Sequence, residues 1–235
     1  MHIGKRLANL NWVEVEASLW ARGYAPLGAI LTPEECSGLI GLYARDEPFR
    51  SRIDMARYRF GEGDYKYFAN PLPVVVEEIR SMAYPPLAPI ANRWMEAFGV
   101  ATRYPPELAE LREMCRMAGQ TKPTPLLLHY ETGGYNCLHQ DLYGDVAFPL
   151  QIVCFLSEPK RDYTGGEFLL VEQRPRAQSA GEVVRGRKGQ AIVFTTRYRP
   201  VKGSRGYYRA NVKHGVSRVR SGVRYTLGVI FHDAK

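Results

Sequence analysis

Three side chains in the second half of the chain have the types and spacing of a metal site. His139 and Asp141 are two residues apart, so in an extended segment both point to one face while Gln140 points away. His214 lies 73 residues after Asp141, just before the last predicted strand, and is the best candidate for a third ligand. Two imidazoles and one carboxylate on one face of a metal leave three coordination positions open, as in non-heme Fe(II) oxygenases.

An arginine follows this set at the start of the last predicted strand. Arg224 lies ten residues after His214, and Thr226 shares its face by strand alternation. A guanidinium that points into a β-barrel is unfavourable unless an anion pairs with it. The distal carboxylate of 2-oxoglutarate is such an anion, and a guanidinium can bind it through two hydrogen bonds. The alternative is that Arg224 extends to the barrel mouth and solvent.

The elements that must position these residues are short strands. From Pro125 onward, short apolar runs alternate with turns that contain glycine or proline. They predict strands over residues 126–130, 150–156, 167–171, 190–195 and 225–231. Evenly spaced short strands of this kind are typical of a sandwich or barrel. The sequence therefore predicts an α+β protein with a C-terminal antiparallel barrel or jelly roll.

The first 120 residues carry helical signals. Thr32 is followed by Pro33 and Glu35, which predicts a capping box at a helix start. Further helices are predicted over residues 12–22, 73–82, 87–98 and 107–117, and a β-hairpin over residues 49–69. No linker or repeat divides the chain. We expect one domain over residues 1–235, in which residues 1–120 support a β core formed by residues 121–235.

Together these motifs resemble the 2-oxoglutarate- and Fe(II)-dependent dioxygenase superfamily. The order and spacing of His139-x-Asp141, Gly165-Gly166-Glu167, His214 and Arg224-Tyr-Thr match it from about Leu126 to Asp233. The core looks most like the prolyl-hydroxylase branch, in which a tyrosine matching Tyr130 contacts 2-oxoglutarate. The resemblance implies a double-stranded β-helix that binds Fe(II) through His139, Asp141 and His214. It also implies a 2-oxoglutarate site formed by Arg224, Tyr130 and Thr226.

The resemblance extends to the expected reaction. The N-terminal half, including Gly61–Phe68, resembles a group of bacterial oxygenases whose usual label proposes action on damaged nucleic acid. AlkB-type alkylation-repair enzymes carry a second arginine where this chain has Ile230. Halogenases of the superfamily lack the carboxylate ligand, whereas Asp141 is present. We therefore expect C–H hydroxylation or oxidative demethylation that uses Fe(II), 2-oxoglutarate and O₂.

The positive charge of the chain is concentrated in one segment. Residues 174–224 contain 14 Lys and Arg and one acid, while the net charge of the whole chain is +8. Clustered cations attract anionic partners, although a solvated basic face is an equally good interpretation. A predicted loop before His214, which in the resembled fold lies close to the iron, carries the candidate substrate contacts Arg197, Arg199, Arg205 and Arg209, with Lys202 among them.

Other residues near the motifs are weaker candidates. Cys137 is expected to be a small buried side chain, His129 to point away from the metal, and His232 to be a structural histidine. The aromatic residues within 58–68 either contact a base or a peptide or, more commonly, pack on the barrel. The four cysteines show no CxxC spacing, and neither a secretory signal nor an apolar membrane span is recognisable. We expect a reduced, cytoplasmic protein with no membrane partner.

Three functions stay open at this point. The basic segment favours a dioxygenase that acts on alkylated nucleic acid. The prolyl-hydroxylase-like core favours a peptide hydroxylase. A non-catalytic barrel that binds an anion is the third alternative, and the complete set of ligands together with Arg224 argues against it.

Overall fold

Local capping signals determine several helix ends. The computed structural model describes residues 2–141 and 144–235. Its helices are α1 (Ile3–Ala8), α2 (Trp12–Arg22), α3 (Pro33–Leu42), α4 (Val74–Ala97) and α5 (Leu108–Met117). Thr32 and Glu35 form the predicted capping box at the start of α3. Gly23 ends α2 with φ at 77°, a left-handed conformation that glycine adopts without strain.

The strands lie mainly in the C-terminal half, with four before residue 70. The N-terminal strands are β1 (Tyr24–Ala29), β2 (Phe49–Asp54), β3 (Gly61–Glu62) and β4 (Asp64–Phe68). The middle of the chain forms β5 (Leu126–Tyr130), β6 (Tyr135–His139), β7 (Leu150–Phe155), β8 (Tyr163–Gly165), β9 (Phe168–Gln173) and β10 (Ala180–Val184). The last strands are β11 (Gln190–Thr195), β12 (Tyr198–Gly203), β13 (Gly206–Val216), β14 (Val219–Gly222) and β15 (Arg224–Ile230).

Two antiparallel sheets form the core. One has the strand order β1-β11-β7-β15-β5-β4-β2, and the other has the order β10-β9-β13-β6-β3 with β12 paired to β13. β7 is buried along its whole length, and its apolar side chains join those of the neighbouring strands in the hydrophobic core. This arrangement, with helices packed from the N-terminal half, confirms the predicted jelly-roll core with a helical N-terminal layer.

The N-terminal half also contributes to the sheets. β1 pairs with β11 at one edge of the seven-stranded sheet, and β4 pairs with β5 near the other edge. The predicted hairpin over residues 49–69 is formed by β2 and β4, with β3 in its loop. β1 was not predicted. Its Pro26 and Gly28 are unfavourable inside strands and are tolerated here at a sheet edge, beside a bulge.

One helix replaces the two that were predicted over residues 73–82 and 87–98. α4 runs for 24 residues although prolines at 85, 86 and 89 lie inside it. Each such proline removes a backbone hydrogen bond. Packing of the apolar face, with Tyr84 and Trp94 fully buried, supports the continuous helix. Arg80 on this helix donates to Ile230 O at 3.0 Å and pairs with Asp233 at 2.6 Å, which fixes α4 against the end of β15.

A second correction concerns residues 197–209, which were predicted as a loop. Residues 198–209 belong to a β-hairpin formed by β12 and β13, whose paired residues run from Tyr198↔Asn211 to Gly203↔Gly206, and Arg197 lies in the bend before it. None of the helices in the described ranges combines the length and apolar character that crossing a membrane requires.

Candidate metal centre

The strand register brings the three predicted ligands together. His214 on β13 is paired directly with His139 on β6, so that the two imidazoles lie side by side with ring centroids 4.2 Å apart. Asp141 follows the end of β6, where its backbone N–H donates to Thr196 O at 3.3 Å. The candidate ligand atoms of His139, Asp141 and His214 all lie within 4.8 Å of one another. These residues could therefore hold one metal ion between them.

Each of the three side chains directs a possible metal-ligand atom toward the other two. His139 Nε2 lies 3.5 Å from Asp141 Oδ1, and His214 Nε2 lies 3.2 Å from Asp141 Oδ2. His139 Nδ1 lies 2.7 Å from Cys137 O, so Nδ1 carries the proton and the Nε2 lone pair faces the carboxylate. The other side of the His214 ring packs against Phe194 and Phe168, which holds it in place.

The electrostatics of the set suit a cation. Burial raises the pKa of Asp141, but His214, His139 and a hydrogen bond outweigh this and hold the pKa below its ordinary value. Burial and the nearby His214 lower the pKa of His139. The favoured state near neutral pH is therefore one carboxylate with an uncharged His139 imidazole, which are the forms that bind metal.

A glutamine on β7 orients the carboxylate. Gln151 Nε2 donates to Asp141 Oδ2 at 2.7 Å and lies 3.5 Å from His214 Nε2. Gln151 is 4% exposed and belongs to a strand that is otherwise apolar. The sequence prediction did not include it. A single polar residue in the apolar run over 150–155 was the available signal, because a buried amide needs a hydrogen-bond partner.

The predicted 2-oxoglutarate residues line the same cavity. Arg224 on β15 is paired with Tyr130 on β5, and its guanidinium carbon lies 5.5 Å from the centroid of the Tyr130 ring. Arg224 Nη1 is 3.5 Å from Thr226 Oγ1, while Nε and Nη2 are buried and have no hydrogen-bond partner among the described residues. Arg224 itself is 1% exposed. A buried guanidinium with unused donors is costly in free energy unless an anion joins it.

Three residues around Arg224 complete this end of the cavity. Burial raises the pKa of Tyr130 to about 12, so its phenol stays protonated and able to donate a hydrogen bond. The guanidinium carbon of Arg224 also lies 5.9 Å from the Tyr163 ring centroid. Gly166 has φ at +62°, and a Cβ atom there would lie 2.9 Å from Arg224 Cδ. A side chain at Gly166 would therefore displace Arg224.

The cavity that joins these groups has a volume of about 420 Å³. The three candidate ligands line it together with Arg224, Tyr130 and Thr226. Its donor set fits Fe(II), and its unpaired buried guanidinium fits a dicarboxylate such as 2-oxoglutarate.

The weaker candidates lie elsewhere or serve the fold. His232 is fully buried, and its Nδ1 accepts a hydrogen bond from Phe148 N at 3.1 Å. His129 Nδ1 lies 2.9 Å from Asp64 Oδ1, and its ring stacks on Tyr225. Cys137 is exposed, contrary to the expected burial, and lies outside the cluster of candidate ligands.

The predicted substrate arginines are scattered rather than gathered at the metal. Arg199 is buried in an ion pair with Glu172, so it does not face a substrate. Arg209 lies over the rings of Phe98 and Tyr198. Arg205 is at the tip of the β12–β13 hairpin, nine residues and about 30 Å along the strand from His214. The expectation that this segment lies close to the iron is wrong for its tip.

Arg197 is the one of these four that lies beside the candidate ligands. Its carbonyl oxygen accepts a hydrogen bond from Gln140 Nε2 at 3.2 Å, and the preceding residue, Thr196, contacts Asp141 through its carbonyl oxygen. The guanidinium of Arg197 lies over the Tyr198 ring at 4.4 Å. A substrate contact by Arg197 therefore stays a prediction.

Comparison with known proteins identifies the family. The model of a family described as an oxygenase catalysing oxidative methylation of damaged DNA matches residues 63–234. Two curated proteins of Mycobacterium tuberculosis, the uncharacterized proteins MT2286 and Rv2227, are each 52% identical over 167 residues, which is 71% of this chain and 72% of theirs. The chain belongs to this oxygenase family.

Solved structures share the fold. A Pseudomonas putida prolyl-4-hydroxylase aligns with a TM-score of 0.57 at 16% identity, covering 95% of this chain and 99% of that one. An oxidoreductase of the 2OG-Fe(II) oxygenase family from Burkholderia pseudomallei aligns with a TM-score of 0.55 at 16% identity, covering 96% and 94%. The fold of this chain is that of the 2-oxoglutarate–Fe(II) oxygenases.

Proposed function

Because the chain belongs to this oxygenase family, we propose that it is an Fe(II)- and 2-oxoglutarate-dependent dioxygenase that hydroxylates or oxidatively demethylates alkylated nucleic acid. One observation carries the proposal. The His139, Asp141 and His214 cluster shares a cavity with Arg224, a buried cation that has no carboxylate partner among the described residues. A cavity built for stability alone would not keep such a cation, since its desolvation is unfavourable.

Each residue of the cavity has a defined role in this proposal. His139 and His214 offer Nε2 atoms and Asp141 offers a carboxylate oxygen, while Gln151 restrains the other oxygen. Bound Fe(II) and 2-oxoglutarate supply, together with O₂, the oxidising power to insert an oxygen atom into a substrate C–H bond.

The co-substrate end of the cavity works by orientation. Arg224 would bind the distal carboxylate of 2-oxoglutarate through its free Nε and Nη2 donors, and Thr226 would add a hydroxyl. Tyr130, whose phenol remains protonated, would donate to a carboxylate oxygen. With the dicarboxylate bound there, the rest of the cavity, which is lined mainly by apolar side chains, would be left for the substrate.

The family description supports nucleic acid as the substrate class. Peptide hydroxylation is the second candidate, because the Pseudomonas putida prolyl-4-hydroxylase covers nearly the whole chain with the same fold. The similarity is one of fold, at 16% identity, so it gives this candidate less support.

Succinate formation from 2-oxoglutarate, measured in parallel with three additions, tests the proposal. These are a methylated oligonucleotide, the same oligonucleotide without methylation, and a proline-containing peptide. We expect the methylated oligonucleotide to stimulate succinate formation. Oxidative demethylation then releases formaldehyde in equal amount, whereas hydroxylation leaves one added oxygen atom on the oligonucleotide. The Asp141→Ala variant gives the background rate.

Two results would contradict the proposal. Stimulation by the peptide, with a mass increase of one oxygen atom on it, would favour the peptide hydroxylase. Failure of the wild-type chain to bind Mn(II), a redox-stable substitute for Fe(II), would remove the metal centre from which the proposal starts.

A further inference from the structure

An exposed aromatic and basic segment borders the metal cavity. Arg57, Tyr58, Arg59 and Phe60, here called the rim segment, connect β2 to β3 and are all exposed. Tyr58 and Phe60 are 48% and 47% exposed although both are large aromatic residues. Their rings stack with centroids 5.6 Å apart and planes inclined by 21°. Arg59 and Phe60 belong to the wall of the cavity itself.

Backbone hydrogen bonds fix this segment against the metal-binding strand. Phe60 O accepts from Cys137 N at 2.8 Å, and Phe60 N donates to Met55 O at 2.9 Å. Gly61 then pairs with Asn136 on β6. Cys137 precedes His139 by two residues, or about 7 Å along the strand. The backbone of Phe60 is therefore fixed beside Cys137, two residues before the candidate ligand His139.

The charged groups of the rim segment have no carboxylate partner among the described residues. Neither Arg57 nor Arg59 forms an ion pair with a carboxylate in the part of the chain that the structure describes. Arg57 lies over the Tyr58 ring at 5.7 Å. Arg59 has φ at 60°, a conformation that is unfavourable for a non-glycine residue and that is kept here at the cavity mouth. Asp54, the nearest acid before the segment, accepts a hydrogen bond from Ala56 N at 3.0 Å.

We propose that the rim segment binds the substrate as single-stranded or unpaired nucleic acid. In this complex, Tyr58 and Phe60 stack on a base, and Arg57 and Arg59 bind the adjoining phosphates. Aromatic faces beside unpaired arginines are the pattern by which proteins hold single strands. A base to be oxidised must leave a duplex to enter a cavity of about 420 Å³, and unpaired bases expose the faces that aromatic side chains recognise. The inference rests on the proposed function, since it assigns the substrate contacts of the same cavity.

The position of the rim segment distinguishes it from the basic hairpin. Leu138, 43% exposed and also part of the cavity wall, lies on the neighbouring strand and offers a second apolar contact to a base. Lys202 and Arg205 at the hairpin tip offer charge but do not line the metal cavity. A polyanion that only needed positive charge would bind the hairpin, whereas a base that must reach the metal would need the rim segment.

The test measures binding of a fluorescein-labelled eight-nucleotide thymidine oligomer to the full chain by fluorescence anisotropy, in the presence of Mn(II) and 2-oxoglutarate. We expect the Tyr58→Ala/Phe60→Ala variant to bind about 5- to 100-fold more weakly, as loss of base stacking does elsewhere. Phe60→Trp should retain binding, while Phe60→Leu, which keeps apolar area but lacks an aromatic face, should not.

Charge is tested by the salt dependence. Arg57→Gln/Arg59→Gln should lower the slope of log affinity against log salt by about 1.4, because two phosphate contacts are lost. The matched control, Lys202→Gln/Arg205→Gln at the hairpin tip, removes the same charge and should change affinity by less than twofold. All these residues are exposed, and circular dichroism with thermal unfolding verifies that each variant folds.

Four outcomes would overturn the inference. Three concern the variants: wild-type oligonucleotide affinity in the rim variants, a larger loss in the hairpin control, and rim variants that lose binding of a proline-containing peptide but not of the oligonucleotide. Failure of wild-type binding to the oligonucleotide also overturns it. Succinate formation by the wild-type chain decides the proposed function separately: if it occurs while rim variants bind the oligonucleotide normally, the inference alone is wrong.

Discussion

Replacement of Arg224 by methionine should weaken 2-oxoglutarate binding while leaving the free protein at least as stable. The guanidinium has two buried donors without a partner among the described residues, and they would meet the distal carboxylate of the co-substrate. A hydrogen bond between charged groups contributes about 1.5–3 kcal/mol. Its loss corresponds to a roughly 10- to 100-fold higher Kd, since about 1.4 kcal/mol is tenfold.

In the absence of 2-oxoglutarate, Arg224→Met should not lower the free energy of unfolding. Methionine is two atoms shorter than arginine but keeps its unbranched apolar stem and has no polar group that requires a partner, so Arg224→Met removes an unpaired buried cation. The guanidinium also lies near the rings of Tyr130 and Tyr163, and loss of that attraction offsets part of the gain. We expect the free energy of unfolding to be unchanged or higher by up to about 2 kcal/mol.

Two measurements separate these effects. Isothermal titration of the Mn(II)-loaded protein gives the Kd for 2-oxoglutarate. Chemical unfolding with and without the co-substrate measures how much its binding adds to the free energy of unfolding. At a 2-oxoglutarate concentration 100 times the wild-type Kd, this free energy rises by about 2.7 kcal/mol for wild type and by about 0.4 kcal/mol for a variant with a 100-fold higher Kd. Thr226→Val is the matched control, because it removes one uncharged hydroxyl and should raise the Kd only about 2- to 10-fold.

Unchanged 2-oxoglutarate affinity in Arg224→Met would refute the assignment. So would a loss of metal binding equal to the loss of 2-oxoglutarate binding, since that would indicate a collapsed cavity. Lys213 and Arg218, the other cations near His214 in sequence, are exposed, and Arg218 Nη1 donates to Gly133 O at 2.6 Å. Neither could therefore replace Arg224 as the buried cation that binds the distal carboxylate of 2-oxoglutarate.

Three further predictions concern the metal, its surroundings and pH. Asp141→Ala and His214→Ala should each lose most Mn(II) affinity in a titration, and full metal occupancy in both would contradict the ligand assignment. Gln151→Leu removes the donor to Asp141 Oδ2 and should weaken Mn(II) binding about 10- to 100-fold with the fold intact, whereas wild-type affinity would show that the amide does not orient the ligand. Burial lowers the pKa of His232 from 6.5 to about 4, so the stability it contributes is fully present above pH 6.5 and falls by about 3 kcal/mol as the pH drops through 4. Unfolding titrations from pH 4 to 8 should show this loss in wild type and a flatter profile in His232→Gln.

Much of the β core could be predicted because its signals are local. The predicted strands over 126–130 and 190–195 coincide with β5 and β11, and those over 167–171 and 225–231 differ from β9 and β15 by one or two residues at their ends. β1 could not be predicted in this way, since its pairing partner β11 lies more than 160 residues later in the chain. A single domain over residues 1–235 stays a prediction, supported by the N-terminal strands that extend the seven-stranded sheet.

The same distinction applies to the site. His139 and Asp141 are predictable because a two-residue spacing places both on one face. Gln151 reaches Asp141 from β7, and Phe60 reaches the cavity from the β2–β3 connection, so only the tertiary fold brings them together. Sequence analysis therefore identified the candidate ligands but not the residues that orient them or border the cavity.

Strand alternation explains why two cations of the basic segment share a strand with the third candidate ligand yet face different surroundings. On β13, Val212 and His214 are buried, while Arg209 and Lys213 are exposed. A shift of one residue in the register with β6 would exchange these sets and bring Lys213 into the cavity. Because the buried set packs against the apolar core, the register is fixed, and the cations of β13 must point outward. The charge of Arg209 and Lys213 is thus a property of the outer face of β13, and it does not by itself locate the substrate.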